Sequence, residues 1–183
     1  MAQQLTAEDA RQSLTGHVEQ KGIEVFSKYG PVLDWDQLQL LLADRAHVRY
    51  PVELAFDATP FQPGEFAYPA QKGSAPEEGF TMFVHPSFEN QPDRAVAAVL
   101  YQLVVVNYGD FAGADEAETF GAASLGLTRD EYYAQLCAMA DEVGGPVEYV
   151  DAAREHAEPA LAGFGNESGG CSCGGGGGGC HGH

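Results

Sequence analysis

Two rhythms of hydrophobic and polar residues run along the chain, and they are densest together at residues 80–125. Phe80-Thr81-Met82-Phe83-Val84-His85 alternates as a half-buried strand does, and Pro86 stops it. A polar loop containing Pro92 leads into Asp93–Asn107, where Val96, Val99, Leu100, Leu103, Val104 and Asn107 recur at helical spacing. Tyr108-Gly109-Asp110 ends that helix, and Glu116–Leu125 forms another.

Upstream, Thr6 followed by Ala7-Glu8-Asp9 predicts a helix start, with acids where the helix dipole favours them. Ala10, Leu14, Val18, Val25, Phe26 and Tyr29 supply an apolar stripe. Gly16 and Gly22 interrupt it, so the segment reads as one helix or two short ones, ended by Gly30-Pro31. Asp34 caps a second helix, with Gln37 in the reciprocal capping-box position and Leu38, Leu41 and Leu42 on the buried face. Val48–Asp57 alternates most cleanly of all, and Pro51 makes it an edge strand or bends it. Thr59–Gly64 reads as a turn, Glu65–Tyr68 as a short returning strand, and Gln71–Gly79 as a polar loop.

Downstream, Thr128-Arg129-Asp130-Glu131 is a capping box for a helix that buries Tyr132, Leu136, Met139 and Val143. Gly144-Gly145-Pro146 stops it, and Cys137 within it reads as core packing. Residues 147–164 are weakly patterned. From Gly165 the composition collapses to glycine, serine, cysteine and histidine, which predicts a disordered tail. The expected fold is α+β: a mostly helical single domain over 1–164 with a small, mainly antiparallel sheet, then a flexible arm at 165–183.

Composition narrows the partners. A formal charge of −18 with nine basic residues argues against nucleic acid, which needs a basic footprint, and against an anionic membrane surface. It favours cationic partners, or serves solubility alone. No apolar run reaches the roughly 18 residues of a membrane span, and Met1-Ala2-Gln3-Gln4 lacks a signal-peptide layout, so a cytoplasmic protein is expected. One cysteine in a helix and three in the tail make no disulfide framework.

Three pieces fall in a known order. Phe83-Val84-His85-Pro86 closes a strand, and Asp93-Arg94-Ala95-Val96-Ala97 opens an apolar helix. Glu116-Ala117-Glu118-Thr119-Phe120-Gly121-Ala122-Ala123-Ser124-Leu125 follows as an acidic helix. Over residues 80–135 this resembles the ImmA/IrrE-type zinc peptidases and, more broadly, the zincins. The resemblance implies a zincin-shaped domain. Tyr101, Gln102 and Val105 would then stand where those enzymes carry His-Glu-x-x-His, and Glu116 where they carry the third ligand. A zincin needs two imidazoles one turn apart, and a glutamate that takes a proton from the bound water. Valine cannot ligate, and Gln102 is neutral and cannot act as a base. On this reading the domain is a catalytically dead interaction module.

Other groupings carry less. His85 and Glu89 flank a loop, while Asp110, Asp115 and Glu116 read as helix-start acids. His17, His47 and His156 stand alone, and no catalytic constellation is readable, so an enzyme is not expected. The tail is different. Cys171, Cys173, Cys180, His181 and His183 place five donors within 13 residues, and six glycines let both ends close on one ion. Thiolate and imidazole suit Zn(II), Cu(I) and Ni(II). The expected function is soft-metal binding, delivery or storage, with the domain docking a protein partner. The alternatives are the dead zincin-like module and a precursor peptide whose Gly/Cys/Ser tail is enzymatically modified.

Overall fold

The computed structural model describes residues 7–144, with side chains from Arg11 onward. Among them, five α-helices accompany one three-stranded sheet, in the order α1 (Ala7–Tyr29), α2 (Trp35–Ala43), β1 (Val52–Phe56), β2 (Ala67–Gln71), β3 (Phe80–Val84), α3 (Pro92–Tyr108), α4 (Ala114–Leu125) and α5 (Arg129–Gly144). Thr6, residues 147–164 and the whole tail lie outside the described residues.

The sheet has the order β1-β3-β2, so the most apolar strand is central and Pro69 falls on an edge strand. β3 runs parallel to β1, from Val52 opposite Phe80 to Phe56 opposite Val84. It runs antiparallel to β2, with Ala67 opposite Val84 and Gln71 opposite Phe80. The sheet is therefore mixed, with only one of its two pairs antiparallel. β1 is an edge strand, as Pro51 implied. It starts at Val52 rather than Val48, because α3 claims the preceding backbone. Asn107, buried near the end of α3, accepts from the Arg49 N–H and donates to the His47 carbonyl, each at 2.8 Å. The alternation at 48–50 thus ties the chain to a helix and not to a neighbouring strand.

α3 is the centre of the domain. Pro92 occupies its first turn, where a missing N–H costs nothing. Ten of its side chains, from Ala95 to Asn107, are buried, with sheet residues Met82 and Val84 in the same core. α2 has half of the expected cap: Asp34 accepts from the Gln37 N–H at 2.9 Å, while the Gln37 side chain does not return the bond to the Asp34 N–H. α5 carries its reciprocal box, with the Glu131 carboxylate accepting from Thr128 N–H and hydroxyl, and Thr128 Oγ1 accepting from Glu131 N–H. Its buried face is Tyr132, Leu136 and Met139, with Val143 half-buried against it.

α1 is one continuous helix, and its two glycines differ. A methyl group at Gly22 would sit 2.6 Å from Ala123 Cβ and 2.7 Å from the Phe120 carbonyl oxygen, so Gly22 is where α1 meets the backbone of α4. Gly16 has nothing within 4 Å of that position. Gly22→Ala is therefore expected to cost about 1–3 kcal/mol through overpacking. Gly16→Ala should instead stabilise by about 0.5–1 kcal/mol by relieving glycine's entropy cost inside a helix. Urea unfolding of the two variants checks the opposite signs. Among the described residues no helix is long and apolar enough to cross a membrane.

Candidate functional site

A cleft of about 600 Å³ opens between β2 and the three C-terminal helices. Its first wall is the segment Gly64–Pro69, which leads into and forms the start of β2. His85 N–H bonds the Phe66 carbonyl and Lys72 N–H bonds the Gly79 carbonyl at the two ends of the β2–β3 pair, both at 2.9 Å. With the pairing between them, these bonds put Phe66, Tyr68, Ala70 and Lys72 in the hydrogen-bonded positions. Ala67, Pro69 and Gln71 therefore turn their backbone groups away from the sheet. Gln102 of α3 takes one of them, donating from Nε2 to the Ala67 carbonyl at 2.9 Å. Pro69 has no N–H to offer there.

The second wall is α3 and α5. Tyr101, Gln102 and Val105 face in from α3, and Tyr133, Leu136, Cys137 and Ala140 from α5. Tyr101 is half-buried and its ring lies edge-on to Phe66, centroids 5.9 Å apart. Burial pushes the Tyr101 phenol up from its ordinary pKa, and the neighbouring Glu118 and Tyr133 push it further. Tyr133 is raised as well, first by its hydrogen bond with Cys137. Both phenols thus hold their protons at neutral pH. Cys137 is only partly buried and lines the cleft, which corrects its assignment to the core: one turn beyond Tyr133, it falls off the Tyr132-Leu136-Met139 face.

Glu118 of α4 completes the cleft. Its side chain is 12% exposed and accepts from Arg129 Nε at 2.8 Å and Nη2 at 2.7 Å. Arg129 also pairs with Asp115.

Three of the four zincin-like positions therefore share one wall, but Glu116 is not with them. It closes back on its own helix start, accepting from Gly113 N–H at 2.9 Å and from Thr15 Oγ1 of α1 at 2.8 Å. Burial is the largest single influence and raises its pKa, but these two donors and its own backbone N–H together leave it lowered. Two residues along an α-helix turn the side chain by roughly 200°, so Glu116 and Glu118 look in different directions. Glu118 takes the place in the cleft that sequence reasoning gave to Glu116. No local signal marked it, since an acid on a helix is ordinarily a solvated one.

Each of the three described histidines packs against an aromatic ring. His85 accepts from Ser87 N–H at Nδ1 and stacks on Phe61. His17 lies edge-on to Tyr108, and His47 edge-on to Tyr29. Among the described residues, no three His, Cys, Asp or Glu side chains gather in a geometry that holds a metal ion. The five tail donors Cys171, Cys173, Cys180, His181 and His183, with His156, lie outside the described residues. Comparison with protein-family models, curated proteins and solved structures finds no match to this chain.

Proposed function

We propose that the chain binds and carries a soft metal ion on its Cys/His arm, with the preceding domain as a non-catalytic docking module. The observation that carries the metal half is the donor set, three thiols and two imidazoles within 13 residues. The cleft supports the docking half. Its polar side chains include the protonated phenols of Tyr101 and Tyr133, an amide fixed on a strand carbonyl, the Glu118 carboxylate held by arginine and the Glu65 carboxylate accepting from the Gln62 N–H. Phenols, amides and carboxylates held in this way bind well and transfer protons poorly at neutral pH.

The test is native mass spectrometry with metal analysis on reduced, untagged, full-length protein. The expected stoichiometry is about one Zn(II) or Cu(I) per chain, lost on removing residues 165–183. Occupancy should also fall towards acid, as protons compete for thiolate and imidazole. Unchanged metal content after truncation would sink the proposal. An intact mass below that of the unmodified sequence would favour the modified-precursor reading instead. The zincin-like interaction module is a second reading, favoured by the meeting of Tyr101, Gln102, Val105 and Glu118 in one cleft.

A further inference from the structure

Resting on the reading of the cleft as a docking site, we propose that it recognises a basic side chain, lysine or arginine, presented by a protein partner. Among the described residues, the cleft lining holds two carboxylates, Glu65 and Glu118, and no lysine, arginine or histidine. Tyr68, Tyr101 and Tyr133 add three aromatic rings, whose negative faces attract a cation. Gln102 spends one of its two N–H donors on the Ala67 carbonyl, which leaves its amide oxygen as an acceptor for a cationic head alongside the second N–H. A carboxylate or phosphate ligand would meet no counter-charge here.

Arg129 does not cancel the field. It stands outside the lining, on α5's first turn, and is shared between Glu118 and Asp115. Two carboxylates and one guanidinium leave one net negative charge beside the cleft. The apolar part of the lining, chiefly Val105, Leu136 and Ala140, fits the aliphatic stem of a long basic side chain whose head reaches the tyrosines and Glu118. The charge of −18 over the whole chain speeds the approach of a basic partner.

The occupant enters by its side chain and not as an added strand. Strand addition needs a row of free backbone donors and acceptors. The outer edge of β2 has lost the Pro69 donor to its ring and the Ala67 acceptor to Gln102. What remains is a pocket with an edge too sparse for backbone pairing.

The experiment uses the full chain, ¹⁵N-labelled, reduced and metal-free, titrated with acetyl-Ala-Lys-Ala-amide. The arginine, acetyl-lysine and glutamate versions of the peptide are titrated in parallel. The lysine and arginine peptides are expected to give saturable shifts at residues 64–69, 101–105 and 133–140, with Kd near 1 mM or below, on the order expected for one anchored side chain. The acetyl-lysine peptide should bind roughly tenfold more weakly, since acetylation removes the charge. Glu118→Gln should weaken the lysine peptide by roughly fivefold, while Asp36→Asn, the same charge change at an exposed position of α2, leaves it within about twofold. Equal cleft binding of the lysine and acetyl-lysine peptides would overturn cation recognition and leave the cleft as a docking site. Equal weakening by Glu118→Gln and Asp36→Asn would also overturn it, by reducing the effect to bulk charge. Absence of cleft shifts with every peptide at about 10 mM would overturn the docking site as well.

Discussion

Tyr132→Ala should lower the stability of the domain by about 3–5 kcal/mol, the range for emptying a buried aromatic site. The Tyr132 ring is fully buried, and its hydroxyl donates to the Ala97 carbonyl of α3 at 2.7 Å. Burial raises the phenol pKa well above its ordinary value, so the hydroxyl is a donor at neutral pH. The ring lies against Gly121 of α4: a methyl group there would sit 2.2 Å from Tyr132 Cζ. One side chain of α5 therefore touches both α3 and α4. Tyr132→Phe keeps the ring and should lose only about 1 kcal/mol, the net value of one hydrogen bond. Gly121→Ala should cost about 2–3 kcal/mol by itself, because a buried ring has no room to yield. In the Gly121→Ala, Tyr132→Ala double variant, the cavity accepts the new methyl group. The combined loss should fall short of the sum by 1 kcal/mol or more, about the coupling typical of residues in contact. Urea midpoints for the four proteins measure this directly, and strict additivity would show that the two sites do not share one space.

The second large effect comes from giving the cleft the donors it lacks. Positions 101 and 105 are one helical turn apart on the cleft wall, and Glu118 is close enough to perturb Tyr101. Tyr101→His with Val105→His is best made in a chain whose Cys171, Cys173, Cys180, His181 and His183 are all changed to serine. Zinc should then stabilise the variant by about 2.7 kcal/mol at a hundredfold excess over Kd, and leave the parent's unfolding unmoved. Asp115 keeps Arg129 occupied while Glu118 turns to the metal. Glu118→Ala should abolish the zinc effect, whereas Glu116→Ala should spare it and cost stability alone, through the lost bonds to Gly113 and Thr15. A folded variant indifferent to zinc would show that these positions do not converge, and the zincin-like reading should then be dropped.

The contrast between those two glutamates shows where sequence reasoning reached and where it stopped. The helices were legible because their signals are local. Asp34 and Thr128 stand where caps belong, and the Tyr132-Leu136-Met139 spacing marks one buried face. β3 was legible because its side chains alternate in burial as well as in type. β2 was less so: it runs from Ala67 to Gln71 rather than from Glu65 to Tyr68, since Pro69 interrupts any alternation and its register comes from β3. Val48–Tyr50 reads as strand and is not, because the decisive partner, Asn107, is 58 to 60 residues away. Tyr101, Gln102 and Val105 meet on one wall as their helical spacing requires, while the acid opposite them depends on the rotation of a different helix. Periodicity within an element does not report the angle at which a second element presents its side chains.

The seat of α1 on α4 has a consequence for how the chain is made. Thr15 and Glu116, bonded to each other, are 101 residues apart. At a synthesis rate of roughly 5–20 residues per second, α1 leaves the ribosome some 5–20 s before its seat exists. For that interval its apolar stripe, including Val18 and Val25, has nothing of α4 to cover it, although both are fully buried at the end. Helices fold in microseconds and can wait as transient structure, but docking cannot precede α4. The first described helix to be made is thus among the last to be secured, and until α4 emerges its apolar face stays open to a holdase.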